Sequence, residues 1–311
     1  MNTLPSTPSS LATTLIADST YWQHPDLRAS FENAKGITAH FAKSFYFSAQ
    51  IFPREQRWAT YAVYGFCRYA DNIVDAPRER TPEEIYAEVD ALRRELEICY
   101  RTGESEHPIM RPFAVVAQRY GIPIAYPLDL LKGVTMDMEH SRYATFDDLY
   151  VFCYRVASVV GLMMTCVLGT SNDAAFEYAE KMGVAMQLTN ILRDVQEDNR
   201  MGRIYLPRED MERFGVSEQD IQLERCTEAV RALIKFQVER AQYYYHAAEP
   251  GIAMLDRSSQ FAIYAASKIY SGILRKIEER DYNPFLGRVF VPQSQKTRIL
   301  LGEVVRTRLL R

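Results

Sequence analysis

QLTNILRDVQED, Gln187 to Asp198, follows directly on MGVAM, Met182 to Met186. Residues three, four, seven and eight apart share one face of a helix. Asn190, Asp194 and Asp198 therefore line up, with Gln187 nearly two turns before Asp194 on the same side. The turn that precedes them is apolar nearly all round, the mark of a helix buried in a core. A second stretch has the same build. YAVYGFC, Tyr61 to Cys67, runs into RYADNIVD, Arg68 to Asp75, and aligns Arg68, Asp71 and Asp75. Carboxylates in such surroundings are costly unless cations or hydrogen-bond donors meet them. Hard oxygen ligands facing one cavity suit Mg²⁺, which shares its coordination between carboxylates, water and substrate phosphates. The two stretches together predict a helical fold around a metal-dependent diphosphate site. For either motif alone, the alternative is a solvated acidic face with lysine partners. Two of them in comparable apolar settings, 123 positions apart from Asp71 to Asp194, weigh against that, because burying charge is expensive.

Bulk properties narrow the field. The chain has 311 residues, 47% of them apolar, enough for a substantial core. Its net charge of −3 offers no electrostatic footprint for nucleic acid, and none is expected as a partner. Five scattered cysteines with no CxxC suit a reducing compartment and argue against a disulfide framework or a zinc site. The five dispersed histidines read as structural. Residues 1–18, rich in Ser, Thr and Pro, lack the basic start and apolar centre of a secretory signal and are expected to be a disordered tail. The longest apolar stretch, Val156 to Leu168, is interrupted by Ser158, Gly161 and Thr165. It falls short of the roughly 20 residues that a membrane span needs, so no transmembrane anchor is expected. The expected location is cytoplasmic, with peripheral membrane contact.

The strand signal is weak and the helix signal strong. Helices are predicted at 25–50, 54–76, 82–101, 109–120, 127–139, 146–169, 172–198, 217–247, 250–280 and 294–310. Punctuation falls between them at Ala76-Pro77, Thr81-Pro82, His107-Pro108, Leu206-Pro207 and Asn283-Pro284. Thr81-Pro82-Glu83-Glu84 reads as an N-cap followed by Pro and a first turn of acids. With no Gly- or Ser-rich linker and no glycine-rich phosphate loop, one all-α domain over 19–311 is the economical expectation. Ala157, Ser158 and Gly161 put small residues at close spacing, suited either to tight helix packing or to space for a ligand. Arg193, Arg203 and Arg288 lie near the acids in sequence or in their own motifs, and a planar guanidinium fork suits diphosphate.

From about His40 onward the chain resembles the squalene and phytoene synthase family, the head-to-head members of the isoprenoid synthase fold. The blocks that carry the resemblance are AKSFYFSAQIFP (42–53), YAVYGFCRYADNIVD (61–75), CYRVASVVGLM (153–163) and QLTNILRDVQEDNRMGRIYLP (187–207). KIY (268–270) and GRVFV (287–291) follow. The resemblance implies an all-α, single-domain isoprenoid synthase bundle with a central active-site cavity. It also implies that Asp71 and Asp75 form a first aspartate motif and Asp194 and Asp198 a second, holding Mg²⁺, or Mn²⁺ in its place. Asn190 and Glu197 would support the second cluster, and Gln187 would face the same cavity. Arg68, Arg193 and Arg288 match diphosphate-contacting arginines, Ser44 a serine near the phosphates, and Tyr270 an active-site tyrosine. One departure stands out. Phe152 occupies a position where the family often has an aromatic hydroxyl assigned to the later steps, and Tyr150 or Tyr154 is the candidate substitute.

The implied activity is a prenyl transfer in carotenoid biosynthesis. Two prenyl diphosphates condense head to head through a cyclopropylcarbinyl diphosphate. In the absence of a dinucleotide fingerprint, NADPH is not expected to take part. Geranylgeranyl diphosphate, giving phytoene, is the favoured substrate. The alternative is farnesyl diphosphate, giving squalene, dehydrosqualene or presqualene diphosphate. A non-catalytic assembly factor is a reading from another class, and the two intact acid motifs speak against it. Ala49 and Tyr61 are the expected floor of the prenyl pocket, the small Ala49 favouring the longer chain. Replacing Asp71 or Asp194 is expected to leave the fold intact or even to stabilise it, since clustered like charges repel.

Overall fold

Apolar residues recurring every three to four positions, broken by caps and prolines, fold this chain into helices almost throughout. The computed structural model describes residues 18–75 and 80–299. The Ser44 side chain, nearly all of the expected N-terminal tail and the expected final helix beyond residue 299 lie outside the described residues. No strand forms among the described residues; an isolated parallel bridge joins Arg142 to Ile204. The chain divides into two compact units, one comprising residues up to Thr135 with Leu162–Thr170, the other Met136–Gly161 with Ser171 onward.

The first unit holds α1 (Pro25–Phe41), α2 (Lys43–Ala49), α3 (Arg54–Asp75), α4 (Pro82–Thr102), α5 (Met110–Arg119) and most of α6 (Ala125–Glu139). α3 is its centre, burying Ala59, Ala62, Val63, Phe66, Ala70 and Ile73 along one side. Gly65 brings α1 close, since a Cβ there would sit 3.4 Å from the Ala34 Cβ. Phe66 stacks on Phe113 of α5 at 4.3 Å. The expected start of α4 is borne out as a capping box, Thr81 and Glu84 bonding each other's backbone N–H with Pro82 between them. The helix expected over 25–50 is in fact two, parted at Ala42, whose φ of −126° and ψ of 58° leave the helical region. No Gly or Pro marks that corner. There the Arg68 guanidinium lies 4.5 Å over the Phe41 ring.

The second unit is built on α9 (Ala175–Arg200), against which pack α7 (Phe146–Cys153), a π-helical turn (Tyr154–Ser158), α12 (Glu228–Ile252) and α13 (Arg257–Glu278). α8 (Val159–Leu168) continues from the π turn and passes into the first unit at Leu162. The small residues prove to be packing residues. A Cβ on Gly183 would come within 2.3 Å of the Ser158 Cα, and one on Gly161 within 3.1 Å of the Ala179 carbonyl oxygen. The Ser158 hydroxyl donates to the Glu180 carbonyl at 2.7 Å.

Two boundaries differ from expectation. The stretch 217–247 splits into α11 (Glu218–Gln222) and α12, because Ser217 and Thr227 each cap a helix and Glu224, at φ 52°, turns the chain between them. α12 then runs through Pro250 to Ile252, and α13 starts only at Arg257. A short α10 (Arg208–Arg213) was not anticipated. The run 146–168 is longer than the apolar stretch seen in the sequence. At 23 residues, with a mean hydropathy of 1.9 over its most apolar window, it is long and apolar enough to cross a membrane on length and composition alone. Some 56% of its most apolar window is buried in the protein, as in the core helix of a soluble fold.

Candidate active site

α3 carries the first acid motif in its last two turns, with Asp71 half-buried and Asp75 exposed. One turn earlier the fully buried Cys67 thiol is pushed up by burial and by the Asp71 charge. Arg80 fixes the end of this helix: it donates to the Ile73 carbonyl at 2.5 Å and pairs with Glu88 at 2.7 Å. Arg68, on the face of Asp71 and Asp75, keeps its guanidinium over Phe41, and its buried Nε has no hydrogen-bond partner. A buried donor left unmade is costly, so this one marks a place for an acceptor. Ala49, closing α2, is completely buried. Tyr61 stacks on Tyr46 at 5.6 Å, meets Trp58 edge-on at 5.8 Å and accepts a hydrogen bond from Gln50 Nε2 at 2.6 Å. Three partners within the first unit thus fix the direction of its ring.

In the second unit the structure brings together Gln187, Asn190, Arg193, Asp194, Glu197, Tyr270 and Arg288. Arg193 grips Asp194 with both prongs, Nε to Oδ1 at 2.8 Å and Nη2 to Oδ2 at 2.6 Å. Arg288 reaches the same carboxylate, Nε at 3.0 Å from Oδ1 and Nη2 at 3.0 Å from Oδ2, and lies 3.6 Å from Glu197. Its approach is set by Gly287, whose φ of 75° suits glycine and whose N–H donates to Gln196 Oε1 at 3.0 Å. Arg280 holds the Leu286 and Gly287 carbonyls at 3.0 and 2.7 Å. The Tyr270 hydroxyl donates to Asn190 Oδ1, and Asn190 Nδ2 donates to Gln187 Oε1 at 3.1 Å. The Asp194 carboxylate is therefore charge-balanced, met by cations as an acid in apolar surroundings requires.

Asp198, one turn on, is different. Desolvation, then Asp194, raises its pKa from the ordinary 3.8 to about 7, with Asp137 and Glu197 adding to the rise and Arg203 opposing it. Asp137 escaped the sequence reading, although an acid amid the apolar residues of GVTMDM follows the rule that exposed the two motifs. Arg203 Nη1 pairs with Asp137 Oδ2 at 3.0 Å, and the Tyr205 hydroxyl donates to Oδ1. Phe152 stacks on Tyr205 at 5.4 Å and tilts against Tyr143 at 5.5 Å. The hydroxyls beside Phe152 are thus those of Tyr143 and Tyr205. Tyr150, one expected substitute, donates to Glu180 at 2.5 Å, and Tyr154 begins the π turn.

No three Asp, Glu, His or Cys side chains among the described residues converge into a ready-made metal cage. The donor set still fits a hard divalent cation, because Mg²⁺ commonly takes one or two carboxylates and completes its shell with water and phosphate oxygens. Asp198 is half-buried beside Asp194, Asp137 and Glu197, a crowding of acids that disfavours its charge and that a bound cation would relieve.

A family model described as squalene/phytoene synthase matches residues 38–295. The 15-cis-phytoene synthase of Synechocystis sp. is 40% identical over 281 residues, covering 86% of this chain and 82% of its own length. That of Synechococcus elongatus is 38% identical over 282 residues, covering 87% and 91%. Among solved structures, a dehydrosqualene synthase crystallised with a ligand superposes with a TM-score of 0.85 at 30% identity, covering 94% of this chain and 99% of its own. A squalene synthase from Alicyclobacillus acidocaldarius gives 0.79 at 27% identity, covering 86% and 100%.

Proposed function

The chain belongs to the squalene/phytoene synthase family, whose members are prenyltransferases, and from that premise we propose that it joins two geranylgeranyl diphosphates head to head into phytoene. The observation that carries this reading is the 38–40% identity, over 86–87% of the chain, to two enzymes named 15-cis-phytoene synthase.

Asp71 and Asp75 in one motif, and Asp194 and Asp198 with Asn190 and Glu197 in the other, would hold Mg²⁺ or Mn²⁺. When bound, the ion neutralises the leaving diphosphate. Arg193 and Arg288 rest on Asp194; their forks transfer to diphosphate oxygens when substrate arrives, releasing the carboxylate. Arg68, with its orphaned Nε, supplies a further donor. Gln187 and Tyr270 fix the orientation of Asn190. Ionisation of one substrate releases its diphosphate and gives an allylic cation, which the double bond of the second attacks; loss of a proton then closes the ring of a cyclopropylcarbinyl diphosphate. A second ionisation releases the other diphosphate, and the rearranged cation loses a proton to give the 1-1′ joined hydrocarbon. Apolar and aromatic side chains keep out the water that would quench the cations to alcohols.

The thirty-carbon reading, on farnesyl diphosphate, is favoured by the likeness to the dehydrosqualene synthase structure. One experiment separates the two. The purified protein is incubated with Mg²⁺ and each diphosphate in turn, without NADPH, and the extracted product is weighed by mass spectrometry. Phytoene from the longer substrate is the expected result. A thirty-carbon main product would replace this reading with the second, and no hydrocarbon without NADPH would overturn the non-reductive outcome.

A further inference from the structure

Asp137 sits near the end of α6, and nothing in the family reading gives it a role. Both its oxygens are engaged, one by the Arg203 guanidinium at 3.0 Å and the other by the Tyr205 hydroxyl. The Tyr205 ring is itself immobilised, stacked on Phe152 at 5.4 Å and on Tyr143 at 5.9 Å. The backbone leading to it is pinned too, the Ile204 N–H donating to the Ser141 carbonyl at 3.0 Å. Tyr205 therefore aims Asp137, and Asp137 in turn decides where the Arg203 side chain points.

Arg203 has a second carboxylate within reach of its charge. Its own N–H donates to the Asp198 carbonyl at 2.8 Å, and its guanidinium charge is felt at the Asp198 carboxylate. Asp198, Arg203 and Tyr205 line one small cavity of about 10 Å³, walled by Ile191, Val195 and Ile204. A guanidinium that settled on Asp198 would occupy the oxygens and cancel the charge that a divalent cation needs. We propose that Asp137 is a positioning residue that holds Arg203 away from Asp198 and so keeps the second acid motif open to a metal ion. The proposal rests on the reading of Asp194 and Asp198 as metal-binding acids.

The test is Mn²⁺ alone titrated into the full-length protein, with uptake read from the loss of the free-ion paramagnetic resonance signal. Asp137→Asn should bind about tenfold more weakly than wild type, in line with the usual cost of losing a group behind a metal ligand. Arg203→Gln should bind as tightly as wild type or more so. The double variant should recover to within about threefold of wild type, because the competing cation has gone. Recovery is the distinctive result, since a merely structural role for Asp137 would leave the double variant as weak as the single one. Tyr205→Phe keeps the ring stack and should weaken binding while lowering the thermal midpoint by only a few degrees, which holds the proposal to account if Asp137→Asn folds poorly. Wild-type affinity in Asp137→Asn, or no recovery in the double variant, overturns the proposal alone. If Asp194→Ala binds Mn²⁺ as wild type does, the metal reading falls and this inference falls with it.

Discussion

Two guanidinium groups on Asp194 change what its removal does. Clustered acids suggested that alanine there would spare or raise stability. Instead Asp194→Ala strands Arg193, whose side chain is only 15% exposed, without its partner. Breaking a pair of this kind costs about 3 kcal/mol, so the urea midpoint should fall along with turnover. Asp71→Ala, near the surface end of α3, should lose turnover by about a hundredfold or more and keep its unfolding midpoint. Full turnover in both variants would remove the metal site. Asp198 gives a pH signature. Its folded pKa of about 7 lies above its ordinary 3.8, so the folded chain binds more protons than the unfolded one between those values. Stability from this group is then greatest below about pH 4 and declines as the pH rises to about 7. Urea midpoints of the metal-free protein across that window should fall with rising pH on its account, and Asp198→Asn should flatten the slope. For chain length, Ala49→Phe adds a ring at a completely buried position and should cut use of geranylgeranyl diphosphate far more than use of farnesyl diphosphate. An unchanged ratio would remove Ala49 from the pocket floor. Tyr61→Phe, whose ring is held by Tyr46 and Trp58, loses one hydrogen bond worth about 1 kcal/mol and should leave the ratio alone.

At the scale of elements, α9 tolerates nothing larger than hydrogen at Gly183. The methyl of Gly183→Ala would meet the Ser158 backbone at 2.3 and 2.6 Å, and backbone cannot swing aside as a side chain can. Overpacking usually costs 1–3 kcal/mol, and this contact belongs at or above the top of that range, about 3 kcal/mol. A urea midpoint equal to wild type would show that the π turn can yield. This close approach was half legible in the sequence: the small residues were visible, but whether they made room for a helix or a ligand depends on which neighbour arrives. The helices bearing the acid motifs were the most legible, because their apolar faces are long and α3 starts directly after Pro53. The corner at Ala42 was not legible, since no residue there prefers a turn. The division between α11 and α12 was written in Ser217 and Thr227, but both are modest helix residues inside an otherwise periodic stretch. Asn190, Asp194 and Tyr270 were found by spacing and resemblance. Asp137 was not, for its partners Arg203 and Tyr205 lie more than sixty positions away.

At the scale of the whole chain, substrates with long prenyl tails and a hydrocarbon product argue for weak, reversible contact with membranes. The protein should partition between soluble and membrane fractions in a salt- or detergent-sensitive way, and resistance to alkaline carbonate would instead make the 146–168 run an inserted helix. All five cysteines are free, and Cys67, Cys99 and Cys153 are buried; the unfolding midpoint should therefore be the same with and without reductant. The contact of Arg288 with Asp194 also has a meaning in time. Ninety-four residues separate the two, and at the pace of translation they are made about 5–20 s apart. Arg193, the next-door neighbour, is present from the moment Asp194 is made. A nascent chain halted after α13 would already carry both acid motifs with Arg68, Arg193 and Arg203, but not yet Arg288. The Asp194 carboxylate thus waits for its second partner until the whole of α13 has been made.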